Sequence, residues 1–499
     1  MNYYLGIDLG TSSTKTLLMD EAGTAVGISQ CAYDIIKRRP EEAEQDMELL
    51  WEAVKSTLAD LKNRFSKEME AVRCISYSGQ MHGLVMVDKA GKPIRRGIIW
   101  ADQRSKNAIR EIYQRVGEDT CRSLVLNSLS TGFLISSLMW VREQEPENYG
   151  KIYRVMLPKD YIRYRMCGEY GTDMSDASGS GAFDTANRRW AWELIDGLEI
   201  DRSIFPACGE SCEIAGRVTE ACARETGLRS GIPVAYGGGD TLMQGVGNGI
   251  IGPGVLSANI GTACQLSGSV ESPLFDPQFR TNTFCHVRPG AWLLMGAHLS
   301  GGVALKWLMN QVLEMDSYEA MTALAERVPA GSEGLICLPY LSGERTPWND
   351  PDARGIYLGM TLKHTKAHLI RSTMEGIVFG LGTSAEILRE LGVSWDRVIA
   401  SGGGARGELF LQMQADILDC EIYTNEGQEQ ACMGAAITAA VARGEYADYK
   451  EACGRIVRLR DRTVLPDREN QKRCGEAFAM YRELYARNQD LLHRAAAFK

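Results

Sequence analysis

Short apolar segments alternate along the chain with longer segments whose apolar residues recur at helical spacing. Near the start, residues 4–7 are apolar, residues 14–19 alternate, and a turn at residues 20–23 precedes a strand through Ala25 and Val26. This part of the chain therefore predicts a β-hairpin followed by a third strand. The alternation of strands and helices continues downstream and predicts an α/β protein.

A helix is predicted at about residues 46–62, because its apolar residues form one stripe: Leu49, Leu50, Ala53, Val54, Leu58 and Leu61. The next predicted strand, residues 72–78, leads into a loop at residues 79–83. Ligands in open α/β sheets bind where the strands end. The loop is therefore a candidate site by its position alone.

A second hairpin of the same plan is predicted at residues 254–266, with a Gly-Thr turn at Gly261 and Thr262. This internal repeat predicts two domains of similar topology, residues 1–246 and residues 247–499. Glycines crowd the junction and fit either a hinge or close packing: Gly245, Gly247, Gly249, Gly252 and Gly254.

Composition narrows the classes of protein. The 499 residues are 44% hydrophobic and 24% charged, which suits two sizeable globular domains. The net charge of -9 and the lack of a long basic run argue against nucleic acid as a partner. No stretch resembles a membrane span and no basic leader precedes the first strand, so a cytoplasmic location is expected. The 14 cysteines contain no CxxC pair and are expected to be reduced.

Two carboxylates, Asp8 and Asp240, stand beside glycines at the ends of predicted strands. Near them, hydroxyls and backbone N–H groups can face an anion from opposite walls, at Thr11, Ser12, Ser13 and Thr262. Asp8 would repel a phosphate unless a divalent cation stood between them, so it is interpreted as a magnesium organiser. Capping of a turn is the alternative for Asp8. The pair indicates phosphoryl transfer without a Walker loop.

Longer motifs carry a resemblance to a known family. Residues 355–360, followed after seven residues by residues 368–375, match position by position the long signature of the FGGY carbohydrate kinases. The chain resembles this family from residue 4 to about residue 440. The resemblance implies two actin-like (ribonuclease H-like) domains with a cleft between them. It also implies ATP and Mg²⁺ as cofactors.

Within that family, shorter motifs resemble most closely the branch that phosphorylates D-xylulose: residues 79–83, 158–164, 175–179 and 341–347. The implied reaction is ATP-dependent phosphorylation of D-xylulose to D-xylulose 5-phosphate. Asp240 takes the family's general-base position, and Asp8 and Asp240 are the expected metal-binding carboxylates. Asp240 can also be an N-cap for a helix over residues 241–246.

The resemblance assigns sugar recognition to Met81 and His82, with other residues around them: Gln80, Trp100, Asp102, Arg104, Asp240 and Thr241. A neutral imidazole both donates and accepts, which suits a row of hydroxyls, while Met and Trp cover C–H faces. The alternatives are a core histidine at position 82 and a packing tryptophan at position 100.

One residue departs from the branch pattern. The chain has Trp100-Ala101-Asp102 where kinases of D-xylulose usually have Asn in the middle, and this form is more typical of gluconate kinases in the same family. The substitution removes two donors and an acceptor. Gluconate, ribulose and L-xylulose therefore remain alternative substrates.

The nucleotide is assigned mainly to the second domain. Gly403, Gly404 and Ala405 follow an apolar strand, where glycines let a ring or ribose approach the backbone, although any tight turn can use them. The other implied ATP-binding residues come from both domains: Thr11, Ser12, Ser13, Lys15, Gly261, Thr262, Gly302 and Lys306.

The remaining candidates have simpler explanations. His364 and His368 lie four apart but lack a third zinc ligand nearby. Residues 471–499 predict an amphipathic terminal helix that packs back on the body or forms an oligomer contact. A homodimer is left open by the sequence. Two other classes also stay open, a filament-forming or chaperone-like ATPase of the same superfamily and a sugar sensor without catalysis.

Overall fold

The computed structural model describes residues 1–427 and 429–498, which form two lobes that are each built on a mixed β-sheet. The strands of the first half are β1 (Tyr3–Leu9), β2 (Ser13–Asp20), β3 (Ala25–Ala32), β4 (Glu44–Gln45), β5 (Val72–Gly79), β6 (Val85–Val87), β7 (Gly97–Ile98), β8 (Arg154–Met156), β9 (Thr172–Asp173), β10 (Phe183–Asp184), β11 (Arg189–Trp190), β12 (Cys208–Gly209), β13 (Ile214–Arg217), β14 (Pro233–Ala235) and β15 (Gly238–Gly239). Its helices are α1 (Met47–Arg64), α2 (Ser66–Glu70), α3 (Lys106–Val116), α4 (Glu118–Val125), α5 (Leu134–Gln144), α6 (Pro146–Tyr149), α7 (Pro158–Cys167), α8 (Met174–Ala177), α9 (Trp192–Gly197), α10 (Glu220–Thr226) and α11 (Asp240–Gly247).

The second half contains fewer and longer elements. Its strands are β16 (Gly254–Ile260), β17 (Cys264–Val270), β18 (Asn282–Cys285), β19 (Trp292–His298), β20 (Ile336–Leu338), β21 (Ile356–Leu358), β22 (Trp395–Gly402) and β23 (Glu421–Thr424). Its helices are α12 (Gly302–Trp307), α13 (Tyr318–Ala325), α14 (Lys366–Glu390), α15 (Glu408–Leu418), α16 (Gln430–Ala442), α17 (Tyr449–Ile456) and α18 (Arg468–Ala496). None of the described helices is both long and apolar enough to cross a membrane.

The two main sheets repeat one plan. In the first, β1 and β2 pair as an antiparallel hairpin and β5 joins β1 in parallel, with the order β13-β14-β5-β1-β2-β3 and β15 also paired with β5. In the second, β16 and β17 form the hairpin and β22 joins β16 in parallel, with the order β18-β19-β17-β16-β22-β23. Both predicted hairpins are confirmed.

Helix α1 confirms the predicted helix, and the side chain of Asp46 caps it by accepting from the backbone N–H of Glu48 at 3.0 Å. The predicted stripe is wrong at Leu49, which is 53% exposed, whereas Trp51 is 1% exposed. At 100° per residue, Leu49 lies almost opposite the centre of the buried face that Trp51 and Val54 share. Adjacent leucines in sequence therefore face opposite environments.

Helix α16 crosses from the second half of the chain to pack on β1, β5 and α11 of the first. Close backbone approach makes this possible. A Cβ at Gly6 would lie 2.1 Å from the carbonyl oxygen of Cys432, and one at Gly247 would lie 2.0 Å from that of Gln430. Gly247 at the junction thus serves close packing.

The predicted terminal helix is confirmed as α18, which packs against β20, α14 and α15 through one buried face. Its far end is fixed by polar contacts to a loop. The carboxylate of Asp350 accepts from the Tyr485 hydroxyl and from Nε2 of His493, the latter at 2.6 Å. These contacts lower the pKa of Asp350 even though partial burial raises it, and hydrogen bonding to Asp350 raises the pKa of His493.

The ion pair gives the docking of α18 a pH dependence. The raised pKa of His493 contributes stability that is complete below the unfolded pKa of about 6.5 and is lost as the pH rises through the folded value. We expect the melting temperature of His493→Gln to lie furthest below that of the unmodified chain near pH 5 to 6, and the gap to shrink by pH 9. Thermal unfolding of both proteins across this range measures it, and a gap independent of pH would contradict the assignment.

Candidate active site

Asp8 and Asp240 lie at the same edge of the first sheet. Strand β5 has β1 on one side and β15 on the other, both parallel to it, with Asp8 opposite Ser78 and Gly239 opposite Gly79. Two strand spacings place the backbones of the carboxylate-bearing segments about 10 Å apart. The sheet therefore brings together two residues that are far apart in sequence.

The carboxylate of Asp8 is held by one side-chain contact, because Ser78 Oγ donates to its Oδ1 at 2.6 Å. Burial raises the pKa of Asp8, against the lowering effects of Ser78 and Lys15. Within residues 1–427 and 429–498 the side chain accepts no backbone hydrogen bond, so the alternative of a turn cap is wrong. Among the described residues, the other carboxylate oxygen of Asp8 has no hydrogen-bond partner.

Asp240 begins helix α11, and Gly239 holds the N-cap position. Asp240 is therefore the first helical residue and not the N-cap. Its carboxylate accepts from the backbone N–H of Thr241 at 2.7 Å. Burial raises the pKa of Asp240 to about 7, and the negative charge of Asp8 adds to the rise. The residue nevertheless keeps partial access to solvent. Such a carboxyl is poised to accept a proton near neutral pH.

Met81 and His82 follow β5, and Met81 lies against the residue that precedes Asp240. A Cβ at Gly239 would be 2.7 Å from Cγ of Met81, so the Met81 side chain rests against the residue preceding the base. His82 has a φ of 79° and its Nδ1 donates to the carbonyl oxygen of Gly179 at 2.6 Å. Its ring stacks on Phe133 at 4.4 Å.

The environment of His82 fixes its protonation. Burial lowers the pKa of His82 to about 4, so the imidazole is neutral at physiological pH. Because Nδ1 must carry the proton to donate to Gly179, Nε2 is left as an acceptor. The ring is anchored as a core histidine would be, yet one nitrogen remains to accept from a ligand hydroxyl.

Two other predicted sugar-binding residues lie in this loop or beside it, Gln80 and Trp100. The Gln80 amide donates from Nε2 to Oε1 of Gln45 at 2.6 Å, while its own buried Oε1 has no partner in the described part of the chain. Trp100 is 38% exposed and donates from Nε1 to Oγ1 of Thr11 at 3.0 Å. Because more than a third of Trp100 is exposed, it is not a core tryptophan, and its contact with sugar stays a prediction.

Asp102 and Arg104 form an internal network. The Asp102 carboxylate is 1% exposed and accepts from the backbone N–H of Ala43 at 2.7 Å and from Arg104. Arg104 also pairs with Glu44 at 2.9 Å and stacks on Trp140. These contacts brace the loop that carries Trp100. A direct contact of either residue with sugar stays a prediction.

The predicted nucleotide residues of the second half converge at the end of β16. Gly261 and Thr262 form the β16–β17 turn, and the backbone N–H of Gly302 donates to the Gly261 carbonyl at 2.7 Å. A Cβ at Gly404 would lie 2.6 Å from Cβ of Ile260, so Gly403, Gly404 and Ala405 adjoin the same turn. Lys306 is exposed one turn after Gly302.

The phosphate-facing residues of the first half lie in the β1–β2 turn. Thr11 and Ser12 are in this turn and Ser13 begins β2. Lys15 forms an ion pair with Glu429 at 2.6 Å, at the start of α16. Gln244, one turn along α11 from Asp240, accepts from Asn259 Nδ2 at 3.2 Å. Helix α11 thus links the two halves of the site.

Sequence reasoning missed Arg345 as a site residue, although it lies in one of the motifs quoted above. Its positive charge contributes to the lowered pKa of His82. The Arg345 guanidinium therefore lies near the loop at residues 79–83, here called the sugar loop. Among the described residues, that guanidinium has no hydrogen-bonded or ionic side-chain partner. Burial lowers the pKa of Arg345. A half-buried cation without a side-chain partner among the described residues could be recognised only in three dimensions.

Comparison with family models decides the class of protein. The model for the N-terminal domain of the FGGY family of carbohydrate kinases matches residues 3–247, and the model for its C-terminal domain matches residues 256–443. The chain belongs to the FGGY family of carbohydrate kinases. It is a carbohydrate kinase with the two-domain, actin-like fold of that family, as the motifs predicted.

Similar FGGY kinases differ in their substrates. The xylulose kinase of Bacillus subtilis (strain 168) is 32% identical over 499 residues, covering 100% of both chains. Two crystal structures from Lactobacillus acidophilus each have a TM-score of 0.93 and 26% identity. One is a ligand-bound xylulose kinase, covering 98% of this chain and 99% of its own, and the other a gluconate kinase, covering 100% and 99%. Overall shape therefore cannot separate these two substrates.

Proposed function

We propose that this FGGY kinase phosphorylates D-xylulose to D-xylulose 5-phosphate at the expense of ATP, with Asp240 as the general base. The observation that carries the proposal is the packing of the Met81 side chain, next to His82 in the loop at residues 79–83, against Gly239, the residue before Asp240. A sugar that donates a hydroxyl hydrogen to Nε2 of His82 would lie in the same loop as Met81 and so close to the segment that carries the base. Curated relatives named xylulose kinase, similar over the full length, support the choice of sugar.

The residues divide the work by their chemistry. Met81 covers a C–H face of the sugar and Nε2 of His82 accepts from a hydroxyl. Asp240 accepts the proton of the terminal sugar hydroxyl. The hydroxyl oxygen bonds to the γ-phosphorus while the bond between that phosphorus and the oxygen bridging it to the β-phosphate breaks, which leaves ADP. Positioning supplies most of the rate in such loose phosphoryl transfers, so a base of modest strength suffices.

The pair Asp8 and Asp240 fits a magnesium ion. Burial raises the pKa of both carboxylates, and repulsion from the charge of Asp8 raises the pKa of Asp240 further. A divalent cation would relieve that repulsion, and Mg²⁺ typically uses one or two protein carboxylates together with phosphate oxygens and water. Within the described part of the chain, no group of three or more His, Cys, Asp or Glu residues is arranged to hold a metal. When bound, the ion would neutralise charge on the phosphates.

A coupled ATP assay across a sugar panel tests the proposal. We expect kcat/KM for D-xylulose to exceed that for D-ribulose, L-xylulose and gluconate by about 10-fold or more, since a missing or misplaced hydroxyl leaves buried polar groups unpaired. Enzyme without added Mg²⁺ is the control for the metal. A higher kcat/KM for any other sugar of the panel would replace D-xylulose as the substrate.

A sugar acid such as gluconate is the second candidate, favoured by Ala101 and by the unpaired Arg345. The guanidinium of Arg345 could pair with a carboxylate in the way Arg favours. If gluconate is the substrate, Arg345→Met lowers its kcat/KM by about 10- to 100-fold, the usual range for a lost charged hydrogen bond. The same variant assayed with D-xylulose provides the comparison, and an equal loss with both sugars would exclude a carboxylate-specific role.

A further inference from the structure

A fully buried ionic cluster lies beneath the sugar loop. The ammonium group of Lys159 is 2.7 Å from Asp160 Oδ1, 2.7 Å from Asp173 Oδ1 and 3.4 Å from Asp176 Oδ2, and all four side chains are inaccessible to solvent. One lysine faces three carboxylates, and Arg163 approaches Asp160 only to 3.8 Å. Burying so many charges is costly, and replacement by apolar residues is often neutral or stabilising. Stability alone is therefore a weak reason for the cluster.

The cluster is connected to the candidate base by one hydroxyl. Ser175, in the first turn of α8, donates from Oγ to Oδ2 of Asp173 and accepts from the backbone N–H of Gly239 at 3.2 Å. Gly239 is the N-cap of α11, and Asp240 follows it directly. The chain of contacts runs from Lys159 through Asp173 and Ser175 to the backbone of the base.

The same segment also holds the sugar histidine. The carbonyl oxygen of Gly179, just past α8, accepts from Nδ1 of His82 at 2.6 Å. Lys159 packs under the loop as well, because a Cβ at Gly79 would lie 2.6 Å from Cβ of Lys159. Residues 173–179 therefore contact both His82 and Gly239, the residue before the base. The spacing between His82 and Asp240 decides how a sugar hydroxyl meets the base.

We propose that Ser175 is a positioning residue that fixes Asp240 through the backbone N–H of Gly239. This inference rests on the proposed function, in which Asp240 accepts the hydroxyl proton. The Asp173 carboxylate orients the Ser175 hydroxyl, so that its lone pair faces Gly239. Lys159 in turn holds Asp173. Small displacements of a catalytic group cost large factors in rate, because reacting atoms must lie in near-attack geometry.

Ser175→Ala removes this acceptor without adding volume. We expect kcat to fall about 10-fold or more, while KM for sugar and KM for ATP change less than about 2-fold, since the substitution leaves the Asp240 carboxylate and the other sugar contacts present. Ser175→Thr retains the hydroxyl and is expected to recover most of kcat. Ser180→Ala is the matched control, because Ser180 is equally buried and, within the described residues, its hydroxyl bonds only the nearby N–H of Ala182.

A double-mutant cycle separates positioning from general damage to the fold. In an Asp240→Ala background, Ser175→Ala is expected to change the residual rate by less than about 2-fold, because the group it positions is already gone. An equal fractional loss in both backgrounds, an unchanged kcat, or a loss confined to KM would each overturn the inference. If Asp240→Ala alone keeps near-normal turnover, the proposed base fails instead, and the two failures are thus distinguishable.

Discussion

Asp240→Ala is expected to lower kcat on the order of 10²-fold or more while ATP still binds with similar affinity. The reason is local, because Asp240 is the carboxylate next to Met81 and burial with repulsion from Asp8 raises its pKa to about 7. Steady-state kinetics with D-xylulose measure the loss, and calorimetric titration measures ATP binding. A kcat within a few-fold of that of the unmodified enzyme would contradict the assignment of Asp240 as the base.

Asp240→Asn serves as the matched variant, since it keeps the shape and removes the charge. A carboxyl whose folded pKa is raised destabilises the folded state above its unfolded pKa of about 3.9, so the variant is expected to be more stable at neutral pH and not at pH 4. With partial solvent access taken into account, the gain is about 1 to 2 kcal/mol in the free energy of unfolding. Denaturant titration at both pH values measures it.

His82→Phe is expected to lower kcat/KM for the sugar by about 10- to 100-fold, with KM for ATP unchanged within about 2-fold. Phenylalanine keeps the stack on Phe133 but removes the acceptor at Nε2 and leaves the Gly179 carbonyl without its donor. Each lost or orphaned buried hydrogen bond is worth about 1 to 3 kcal/mol. Initial rates over a range of sugar concentrations separate kcat from KM.

The control for that substitution is His364→Phe, whose ring accepts from the backbone N–H of Thr361 in the turn before α14, outside the sugar loop. It is expected to leave sugar kinetics unchanged. If His82→Phe were equally silent, the imidazole would be a structural histidine and another group would have to accept from the sugar hydroxyl.

Local pattern predicted much of this molecule. Both hairpins, helix α1 and the strand-end position of Asp240 follow from the spacing of apolar residues and from glycines, which are properties of neighbouring residues. Even the amphipathic pattern of α18 could be recognised without a structure. Each of these features depends on contacts within a few turns or strand spacings, so the sequence carries them directly.

What the sequence could not show depends on distant partners. Arg104 is a predicted sugar-binding residue, yet its guanidinium pairs with Glu44, about 60 residues earlier in the chain. Ser175 looked like part of a motif, and only the sheet brings its hydroxyl to Gly239. Arg345 gains its interest from lacking a side-chain partner among the described residues. Periodicity has no information on such long-range pairings.

The crossing of α16 onto the first sheet has a consequence for how the chain is made. Strands β1 and β5 are synthesised early, but the helix that covers them, with Gly6 against Cys432, emerges near the end. At ribosomal rates of about 5 to 20 residues per second, β5 waits roughly 20 to 70 s before α16 has been made. Closure of the first sheet therefore waits for a helix that is made only after most of the second half of the chain.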